Sequence, residues 1–262
     1  MMLKNKVAVI YGAAGAIGGA VARAFAREGA KVFLTGRLRA PVEAVAKEII
    51  SAGGSAHAAE VDALDEKAVD RHLQSVIDEA GGVDISFNAI GIPDAGIVGI
   101  PLIEMDLDKF SLPIDSYTRS YFLTARLAAR RMVAKKSGVI MTVSALPARM
   151  GAPFVGGYAP AVAAKEALTR SLSIELAPQG IRVISLRPHA IPETASIKEV
   201  FNLKAAQVMS FEQWQEALAS RTHTRRLLKL AEVADMAALM ACDRASGMTG
   251  TTINLSMGSL DD

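Results

Sequence analysis

The sequence has few of the residues that stabilise small secreted proteins or that bind nucleic acids. Its 262 residues include one cysteine, Cys242, which excludes an internal disulfide and fits a reducing compartment. Aromatic residues make up only 5%, and 29 basic against 27 acidic residues leave a net charge of +2. No basic tract stands out, so we expect no nucleic-acid partner.

Long hydrophobic runs are also missing. The apolar run near the start, Val7–Tyr11, ends at glycines and is too short for a signal-peptide core or a membrane span. We therefore expect a cytoplasmic protein that does not enter a membrane. No shift in composition marks a domain boundary, and the length fits one large α/β domain.

What the chain does contain is a regular alternation of apolar strand-like runs with helical patterns. This alternation predicts an α/β fold with a Rossmann-type, doubly wound parallel sheet in a single domain, residues 1–262. The predicted strands are Val7–Tyr11, Val32–Leu34, Ala56–Val61, Val83–Phe87, Val139–Val143, Ile181–Leu186 and Thr251–Leu255. The predicted helices include Pro41–Ala52, Asp65–Ala80, Glu104–Val133 interrupted by Pro113, Phe211–Ser220 and Ala231–Ala241, whereas Pro188–Ser210 is expected to be irregular.

A glycine-rich turn, GAAGAIG, follows the first strand. Gly12, Gly15 and Gly18 lie between that strand and a helical pattern that Gly29 ends. Such glycines let a diphosphate approach the backbone at the positive end of a helix. A tight strand–helix connection without a ligand is the alternative, but the flanking strand and helix favour nucleotide binding.

The end of the second strand indicates which dinucleotide is preferred. An acidic residue at this edge would bind the adenosine ribose hydroxyls of NAD, and none is present. Arg37 and Arg39 stand there instead, and a guanidinium suits the 2′-phosphate of NADP(H). We therefore expect NADP(H) in preference to NAD(H), although both arginines would also fit a solvated loop.

Ligands of open parallel sheets bind beyond the carboxyl ends of the strands. Besides Gly12 and Arg37, the residues Asp62 and Asn88 fall at those ends. The segment of residues 189–220, which follows the sixth strand, is where this topology places a mobile substrate lid. No grouping of side chains predicts a metal site.

The chain resembles the short-chain dehydrogenase/reductase family over essentially its whole length. The resemblance rests on GAAGAIG, VDALD after the third strand, FNAIG after the fourth, and EALTRSLSIELAPQGIRV in the central helix and sixth strand. RRLLKLAEVADMAALMACDRASGMTGTTINL near the end adds to it. The pattern looks most like the 3-oxoacyl-carrier-protein reductase type, which implies an NADP(H)-dependent carbonyl reductase and a homotetramer or homodimer.

The resemblance also implies roles for individual residues. Ile17 and Gly18 would line the diphosphate, and Asp62 with Ala63 would hold the adenine. Asn88 and Gly91 would border the nicotinamide ribose. Pro188 and Thr194 would lie near the nicotinamide carboxamide, and Tyr158 would be the catalytic tyrosine.

Several positions depart from the family pattern. Tyr11 replaces the threonine and Ala16 the middle glycine of the glycine turn. Counted from Tyr158, the family's lysine four residues later is Val162, and its serine thirteen residues earlier is Ala145. The family's helix asparagine falls on Tyr117 or Ser116, and His189 stands where glycine is usual.

The lysine normally lowers the tyrosine pKa from about 10 towards neutrality, an effect of about 4 kcal/mol for three pKa units. Three residues are candidates to compensate for its loss. Ser144, next to the serine position, is a candidate oxyanion donor if the loop adjusts. Lys165, seven residues after Tyr158, is a candidate for the missing lysine, although the Cα atoms would be about 10 Å apart. His189 is a candidate acid or base. Each also fits a structural role, with Lys165 as a solvated helix lysine.

Three functional interpretations stay open at this point. The first is an NADP(H)-dependent oxidoreductase of the carbonyl reductase or alcohol dehydrogenase type, with Tyr158 as proton donor to a small-molecule carbonyl. The second is a catalytically impaired or inactive NAD(P)-binding protein that acts as a sensor or partner subunit. A third is a different reaction in the same pocket, such as enoyl reduction or elimination.

Overall fold

A computed structural model describes residues 1–261. The strands are β1 (Val7–Tyr11), β2 (Lys31–Gly36), β3 (Ser55–Glu60), β4 (Ile85–Asn88), β5 (Gly138–Val143), β6 (Ile181–Pro188) and β7 (Thr251–Leu255). The helices are α1 (Ala16–Arg27), α2 (Arg39–Ser51), α3 (Glu66–Ala80), α4 (Leu107–Met132), α5 (Tyr158–Leu176), α6 (Ala195–Lys204), α7 (Phe211–Ala219) and α8 (Leu230–Ala241).

The strands form one parallel sheet in the order β3-β2-β1-β4-β5-β6-β7. The chain moves outward from β1 to β3, then crosses back to β4 on the other side of β1. Tyr11, at the end of β1, consequently pairs with Thr35 on one side and Asn88 on the other. This reversal opens a crevice beyond the carboxyl ends of β1 and β4, where ligands of such sheets bind. The predicted Rossmann-type fold is confirmed.

Helices cover both faces of the sheet and form two hydrophobic cores. One core lies under α1, α2 and α8, where Phe25 meets Phe87 edge to face with ring centroids 6.1 Å apart. The other lies under α3, α4 and α5 and includes Leu73 and the fully buried Tyr11 and Tyr121. Burial on both faces explains why most of the strands are continuous apolar runs.

The prediction that residues 188–210 are irregular is wrong for Ala195–Lys204, which form α6. Thr194 caps this helix, since its hydroxyl oxygen accepts a hydrogen bond from the Ile197 amide. Ile197, Val200 and Phe201 have helical spacing. Threonine caps are a common helix start, so the signal was present in the sequence.

The predicted interruption of the long helix at Pro113 is also wrong, because α4 runs through this residue. Proline lacks an N–H and clashes with the preceding turn, which usually breaks a helix interior. Here the residue lies in the second turn, and the carbonyl that loses its partner belongs to the exposed Lys109, where water can replace it. Packing of α4 against α5 also opposes a break.

No helix within residues 1–261 is long and apolar enough to cross a membrane.

Candidate active site

The glycine turn after β1 is closed so tightly that two of its glycines have no substitute. Gly12 has a φ of +76°, and a Cβ atom there would lie 2.7 Å from the Ala89 carbonyl oxygen. A Cβ atom on Gly18 would lie 2.3 Å from the Gly12 carbonyl oxygen. Both contacts are with backbone, which cannot move aside as a flexible side chain does. The turn therefore folds its backbone against the start of α1 and against the end of β4.

The first turn of α1 is open to a negatively charged group. Its N-cap residue, Gly15, makes no side-chain cap, and no acidic residue lies in the first turn. Backbone N–H groups at a helix start carry partial positive charge and favour phosphate. Ile17 is half-buried and Gly18 is buried beside this end. The uncapped helix start and the close backbone contacts of the turn suit a diphosphate, and the binding roles of these residues stay predictions.

The two arginines after β2 are in different situations. Arg39 donates a hydrogen bond from Nε to Glu43 Oε1 at 2.6 Å, one turn along α2. Arg37 is exposed and has no hydrogen bond or ion pair with any other described residue. Of the two predicted 2′-phosphate ligands, Arg37 is therefore the one whose guanidinium is open to a ligand.

Side chains that follow β3 and end β4 form hydrogen bonds with neighbouring groups. Asp62 is exposed and accepts the Leu64 amide, while Ala63 is buried. Asn88 is buried, donates to Thr124 Oγ1 at 3.1 Å and accepts from the Ile90 amide. The roles that the family resemblance implied for these residues and for Gly91 stay predictions.

The end of β6 leads into a buried corner. Pro188 is buried, and His189 N donates to the Leu255 carbonyl. The His189 Nδ1 atom accepts the Ala190 amide at 2.7 Å, which places the ring proton on Nε2. Burial lowers the pKa of His189, so the ring is neutral near pH 7. The buried Thr194 donates its hydroxyl proton to the Ile191 carbonyl.

Tyr158 is the first residue of α5 and meets a second tyrosine. Its ring lies against that of Tyr117 on α4, with centroids 5.8 Å apart and planes at 71°. The Tyr117 hydroxyl oxygen accepts the Ile92 amide at 3.2 Å. The pKa of Tyr158 is raised well above its ordinary value, chiefly by burial and further by Tyr117 and the charge of Asp94. Tyr158 is therefore a neutral phenol at physiological pH.

Ser144 belongs to a buried polar network with Glu166 of α5 and Arg187 of β6. Its hydroxyl donates to Glu166 Oε1 at 2.7 Å, and Arg187 donates to both oxygens of the same carboxylate at 2.8 and 2.9 Å. Glu166 and Arg187 are both nearly fully buried. The single Ser144 proton is thus used within the network, so in this arrangement the serine does not present an oxyanion donor to a substrate.

Lys165 is buried, and the interpretation of it as a solvated helix lysine is wrong. Only 2% of its surface is exposed, and its Nζ atom lies 5.6 Å from the ring centroid of Tyr117 and 6.0 Å from that of Tyr121. Burial lowers its pKa to about 7. Its amine therefore contacts the ring of Tyr117, which itself meets Tyr158, and a role of Lys165 in place of the family lysine stays a prediction.

A carboxyl group that sequence reasoning missed lies in the loop that contacts Tyr117 through the Ile92 amide. Asp94, in the loop between β4 and α4, is 8% exposed, and burial together with the charge of Glu199 raises its pKa to about 6. Glu199, on α6, accepts the backbone N–H groups of Asp94 and Ala95. These bonds attach the 189–220 segment to the loop.

Known proteins and a family model match this chain over nearly its whole length. A family model described as enoyl-(acyl carrier protein) reductase matches residues 12–259. The chain belongs to the short-chain dehydrogenase/reductase family.

Relatives of this short-chain dehydrogenase/reductase cover the same length. An uncharacterised oxidoreductase, YxbG of Bacillus subtilis, is 32% identical over 256 residues, covering 98% of this chain and 91% of the relative. A 3-oxoacyl-[acyl-carrier-protein] reductase of Synechocystis is 28% identical, covering 98% and 97%. The structure of NAD+-bound xylitol dehydrogenase has a TM-score of 0.90 at 24% identity, covering 97% and 99%, and supports the fold alone.

Membership of the family allows the residues of the site to be compared with the family pattern. Val162 is 3% exposed and apolar, and Ala145 has no hydroxyl group; their assignment to the lysine and serine positions of the family stays a prediction. The structure places Tyr158 against Tyr117, and Tyr117 in turn contacts the Lys165 amine. Family members bind NAD(P)(H), and the glycine turn, the open helix end and Arg37 fit such a cofactor.

The burial of Lys165 predicts an effect on the free energy of unfolding that can be measured without any assay of catalysis. Because the folded pKa of about 7 lies below the ordinary 10.5, the unfolded chain binds the proton more tightly between these values. The wild type should therefore gain stability as pH rises from 7 to 10.5 and lose it as pH falls. We expect Lys165→Met to raise the free energy of unfolding by about 2 kcal/mol at pH 7 and by much less at pH 10.

Urea unfolding of both proteins at the two pH values measures this difference. Lys47→Met, which changes an exposed lysine on α2, is the matched control and should show no such pH dependence. An equal effect of Lys165→Met at pH 7 and pH 10 would contradict the prediction.

Proposed function

We propose that this short-chain dehydrogenase/reductase is an NADP(H)-dependent oxidoreductase of the carbonyl reductase or alcohol dehydrogenase type, in which Tyr158 donates the proton. The observation that carries the proposal is the neutral phenol of Tyr158, at the head of α5 and in contact with Tyr117. When bound, NADPH supplies a hydride. The chain's own contribution is to hold the dinucleotide, exclude water and deliver a proton.

The geometry of the glycine turn supports the proposed cofactor residues. Gly12, Gly15, Ile17 and Gly18 form the cradle that suits a diphosphate, because the backbone approaches closely and the helix end is uncapped. Arg37 would pair with the 2′-phosphate. The other proposed positions are Asp62, Ala63, Asn88, Gly91, Pro188 and Thr194.

The protonation state of Tyr158 favours reduction over oxidation. A neutral phenol can protonate the oxygen of a carbonyl as it becomes an alkoxide. Alcohol oxidation requires the phenolate as base, and the raised pKa of Tyr158 makes that form scarce. Val162 provides no positive charge to stabilise it. A small carbonyl compound as substrate, a cytoplasmic location and a homodimer or homotetramer complete the proposal.

Binding and turnover test the proposal separately. Titration with NADPH, followed by the fluorescence of the single tryptophan, Trp214, should show saturable binding well below millimolar cofactor. Single-turnover NADPH oxidation with a panel of aldehydes and ketones should then show reduction. Binding without oxidation by any carbonyl would favour the inactive cofactor-binding protein, and no binding would overturn the dinucleotide site.

Arg37 provides the test of cofactor preference. A charge-assisted hydrogen bond contributes about 1.5 to 3 kcal/mol, so we expect Arg37→Ser to weaken NADPH binding by about 10- to 100-fold. NADH, which lacks the 2′-phosphate, should bind with nearly unchanged affinity. Calorimetric titration with both cofactors measures this. Arg39→Ser removes a neighbouring arginine that already binds Glu43, and an equal loss in that variant would contradict the assignment.

A further inference from the structure

Tyr117 is buried with a hydroxyl proton that no other described residue accepts. Its phenol oxygen accepts the Ile92 amide at 3.2 Å, but within residues 1–261 its own O–H group has no acceptor. The residue is 7% exposed, and burial raises its pKa to about 12, so the group is a neutral donor. A buried donor without an acceptor costs free energy, and buried polar groups are therefore usually paired. The unused proton indicates a ligand that accepts hydrogen bonds.

Tyr158 presents a second phenol of the same kind beside it. The two rings meet edge to face, with centroids 5.8 Å apart and planes at 71°. In the part of the chain that the structure describes, the Tyr158 hydroxyl makes no hydrogen bond, and its oxygen is not one of the polar atoms enclosed without a partner. It is therefore open to a ligand. A carbonyl oxygen has two lone pairs, so one such oxygen can accept hydrogen bonds from both phenols.

The backbone fixes the two phenols relative to each other. Ile92, which binds the Tyr117 oxygen, belongs to the loop between β4 and α4. Further along the same loop, the Gly99 amide donates to the Phe154 carbonyl at 2.8 Å, just before α5 begins at Tyr158. The loop thus connects the oxygen of one phenol to the helix that carries the other. Donors that are held in place before the reaction are what stabilises a developing oxyanion.

The Lys165 amine makes this neighbourhood favourable for negative charge. Its Nζ atom lies 5.6 Å from the ring centroid of Tyr117 and makes no hydrogen bond or ion pair with residues 1–261. Burial lowers the pKa of Lys165 to about 7, so the amine is partly charged at neutral pH. A buried group with a perturbed pKa is often functional. A positive charge beside the Tyr117 ring favours negative charge on an oxygen that the phenol binds.

We propose that Tyr117 is a second catalytic residue, which donates a hydrogen bond to the substrate oxygen beside Tyr158 and so acts as the oxyanion donor of the site. This inference rests on the carbonyl reduction proposed above. Ser144 donates its proton to Glu166, so the reaction needs a different donor in this position. Lys165 and the Ile92 amide are positioning residues, because they act through Tyr117.

The reaction balances with one proton transferred and one shared. The carbonyl carbon forms a new C–H bond with the hydride of NADPH, and the π electrons of the C=O bond move to oxygen. That oxygen takes the proton of Tyr158, while Tyr117 keeps its proton and shares it in a hydrogen bond. Water then returns a proton to Tyr158. The products are an alcohol and NADP+.

Two ligands of the same shape test whether the site favours a negatively charged oxygen. Benzoate carries a negative charge, and nitrobenzene has the same shape without a net charge. A hydrogen bond to a charged group contributes about 10- to 100-fold in affinity, so benzoate should bind the wild type at least about 10-fold more tightly. Calorimetric titration of the cofactor-free protein measures both affinities. A benzoate-to-nitrobenzene ratio near one, or no benzoate binding, overturns the inference.

Tyr117→Phe then identifies the donor. The variant should lower the benzoate-to-nitrobenzene ratio at least about 10-fold, because it lacks one of the two hydroxyl donors. A displaced loop would weaken both ligands alike and keep the ratio, so the ratio separates a lost donor from a lost structural contact. Tyr121→Phe is the matched control. Tyr121 also lies beside Lys165, with Nζ 6.0 Å from its ring centroid, but its hydroxyl already pairs with Thr169, and the ratio should stay unchanged.

Lys165→Met tests the positioning role. The variant keeps both phenols and removes the positive charge beside Tyr117, so we expect a ratio about 3- to 10-fold lower than that of the wild type. The same substitution is expected to stabilise the fold, so a lower ratio would not come from unfolding. An unchanged ratio in this variant would overturn the role of Lys165.

Turnover gives the second readout for Tyr117. Single-turnover NADPH oxidation, with the ketone that the wild type reduces fastest, should be about 100-fold slower in Tyr117→Phe at saturating cofactor. The ketone concentration that gives half of the maximal rate should change less than about threefold, since the hydrogen bond strengthens mainly as charge develops on the oxygen.

The outcomes separate this inference from the proposed function. A Tyr117→Phe variant that keeps either the wild-type ratio or the wild-type rate overturns the inference and leaves the proposed oxidoreductase intact. Failure of the wild type to bind NADPH, or to oxidise it with any carbonyl, overturns the proposed function instead. The benzoate ratio then still shows whether the two phenols bind an oxyanion, and its wild-type value does not depend on whether any variant folds.

Discussion

Carbonyl reduction by the Tyr158→Phe variant is expected to be about 100- to 1000-fold slower than by the wild type, with NADPH affinity changed less than about twofold. A positioned general acid contributes about 100- to 10,000-fold. We expect the lower part of that range, since burial and the charge of Asp94 raise the pKa of Tyr158 and so make it a weaker acid. Single-turnover NADPH oxidation with a ketone, at saturating cofactor, measures the effect.

Tyr121→Phe is the matched control for this experiment. Tyr121 is fully buried and hydrogen-bonds Thr169 Oγ1 at 3.0 Å, so its hydroxyl stabilises the α4–α5 contact and lies outside the proposed chemistry. Removing that hydroxyl should cost about 1 kcal/mol of stability. Equal ketone turnover by the Tyr158→Phe variant and the wild type would show that another group donates the proton.

Replacing Glu166 by leucine is expected to lower the free energy of unfolding by about 3 to 5 kcal/mol, the largest stability effect that we predict. The change leaves Arg187 buried without the carboxylate that it now binds through two nitrogen atoms. Removing the carboxylate of a buried ion pair has a cost of this size, because the guanidinium stays buried and loses two charge-assisted hydrogen bonds. Ser144 loses its acceptor at the same time. Urea unfolding followed by circular dichroism measures the change.

A double-mutant cycle distinguishes an ion pair from simple loss of packing. Combining Glu166→Leu with Arg187→Leu removes both charges, and the double variant should be more stable than Glu166→Leu alone. Ser144→Ala, which removes only the hydroxyl, should cost about 1 kcal/mol. If the double variant lost as much free energy of unfolding as the two single variants together, the charge pairing would not be what stabilises this network.

The glycine turn and the fold were predictable because they follow from local rules. Gly12 and Gly18 are required by contacts with a nearby backbone, and the alternation of strands with helices determines a parallel sheet. The helix that contains Lys165 also carried a signal. Lys165 lies three and four residues from Val162 and Ala161, and four from Thr169, all of which are buried. This spacing places the lysine on the buried face of α5. The charge of the side chain suggested a solvent-exposed position, and the spacing was the better guide.

The burial of Asp94 had no such signal. It lies in a loop punctuated by glycine and proline, where no periodicity indicates which side chains are buried. Its burial depends on contacts far apart in sequence, since Ile92 meets Tyr117 and Glu199 meets the Asp94 amide. The partners of Ser144 likewise come from two other elements, α5 and β6. Such tertiary contacts cannot be read from a single stretch of sequence.

The attachment of α6 has a consequence for the rate at which ligands enter and leave. Glu199 holds one side of the helix to the Asp94 loop, and Lys204 at its end donates to the Pro153 carbonyl at 2.7 Å. Opening this helix therefore breaks charge-assisted bonds to two separate loops, which makes product release a candidate for the slowest step of turnover. Phe201 on α6 contacts Trp214 on α7, with ring centroids 5.6 Å apart. The only tryptophan of the protein is thus an intrinsic optical reporter of that opening.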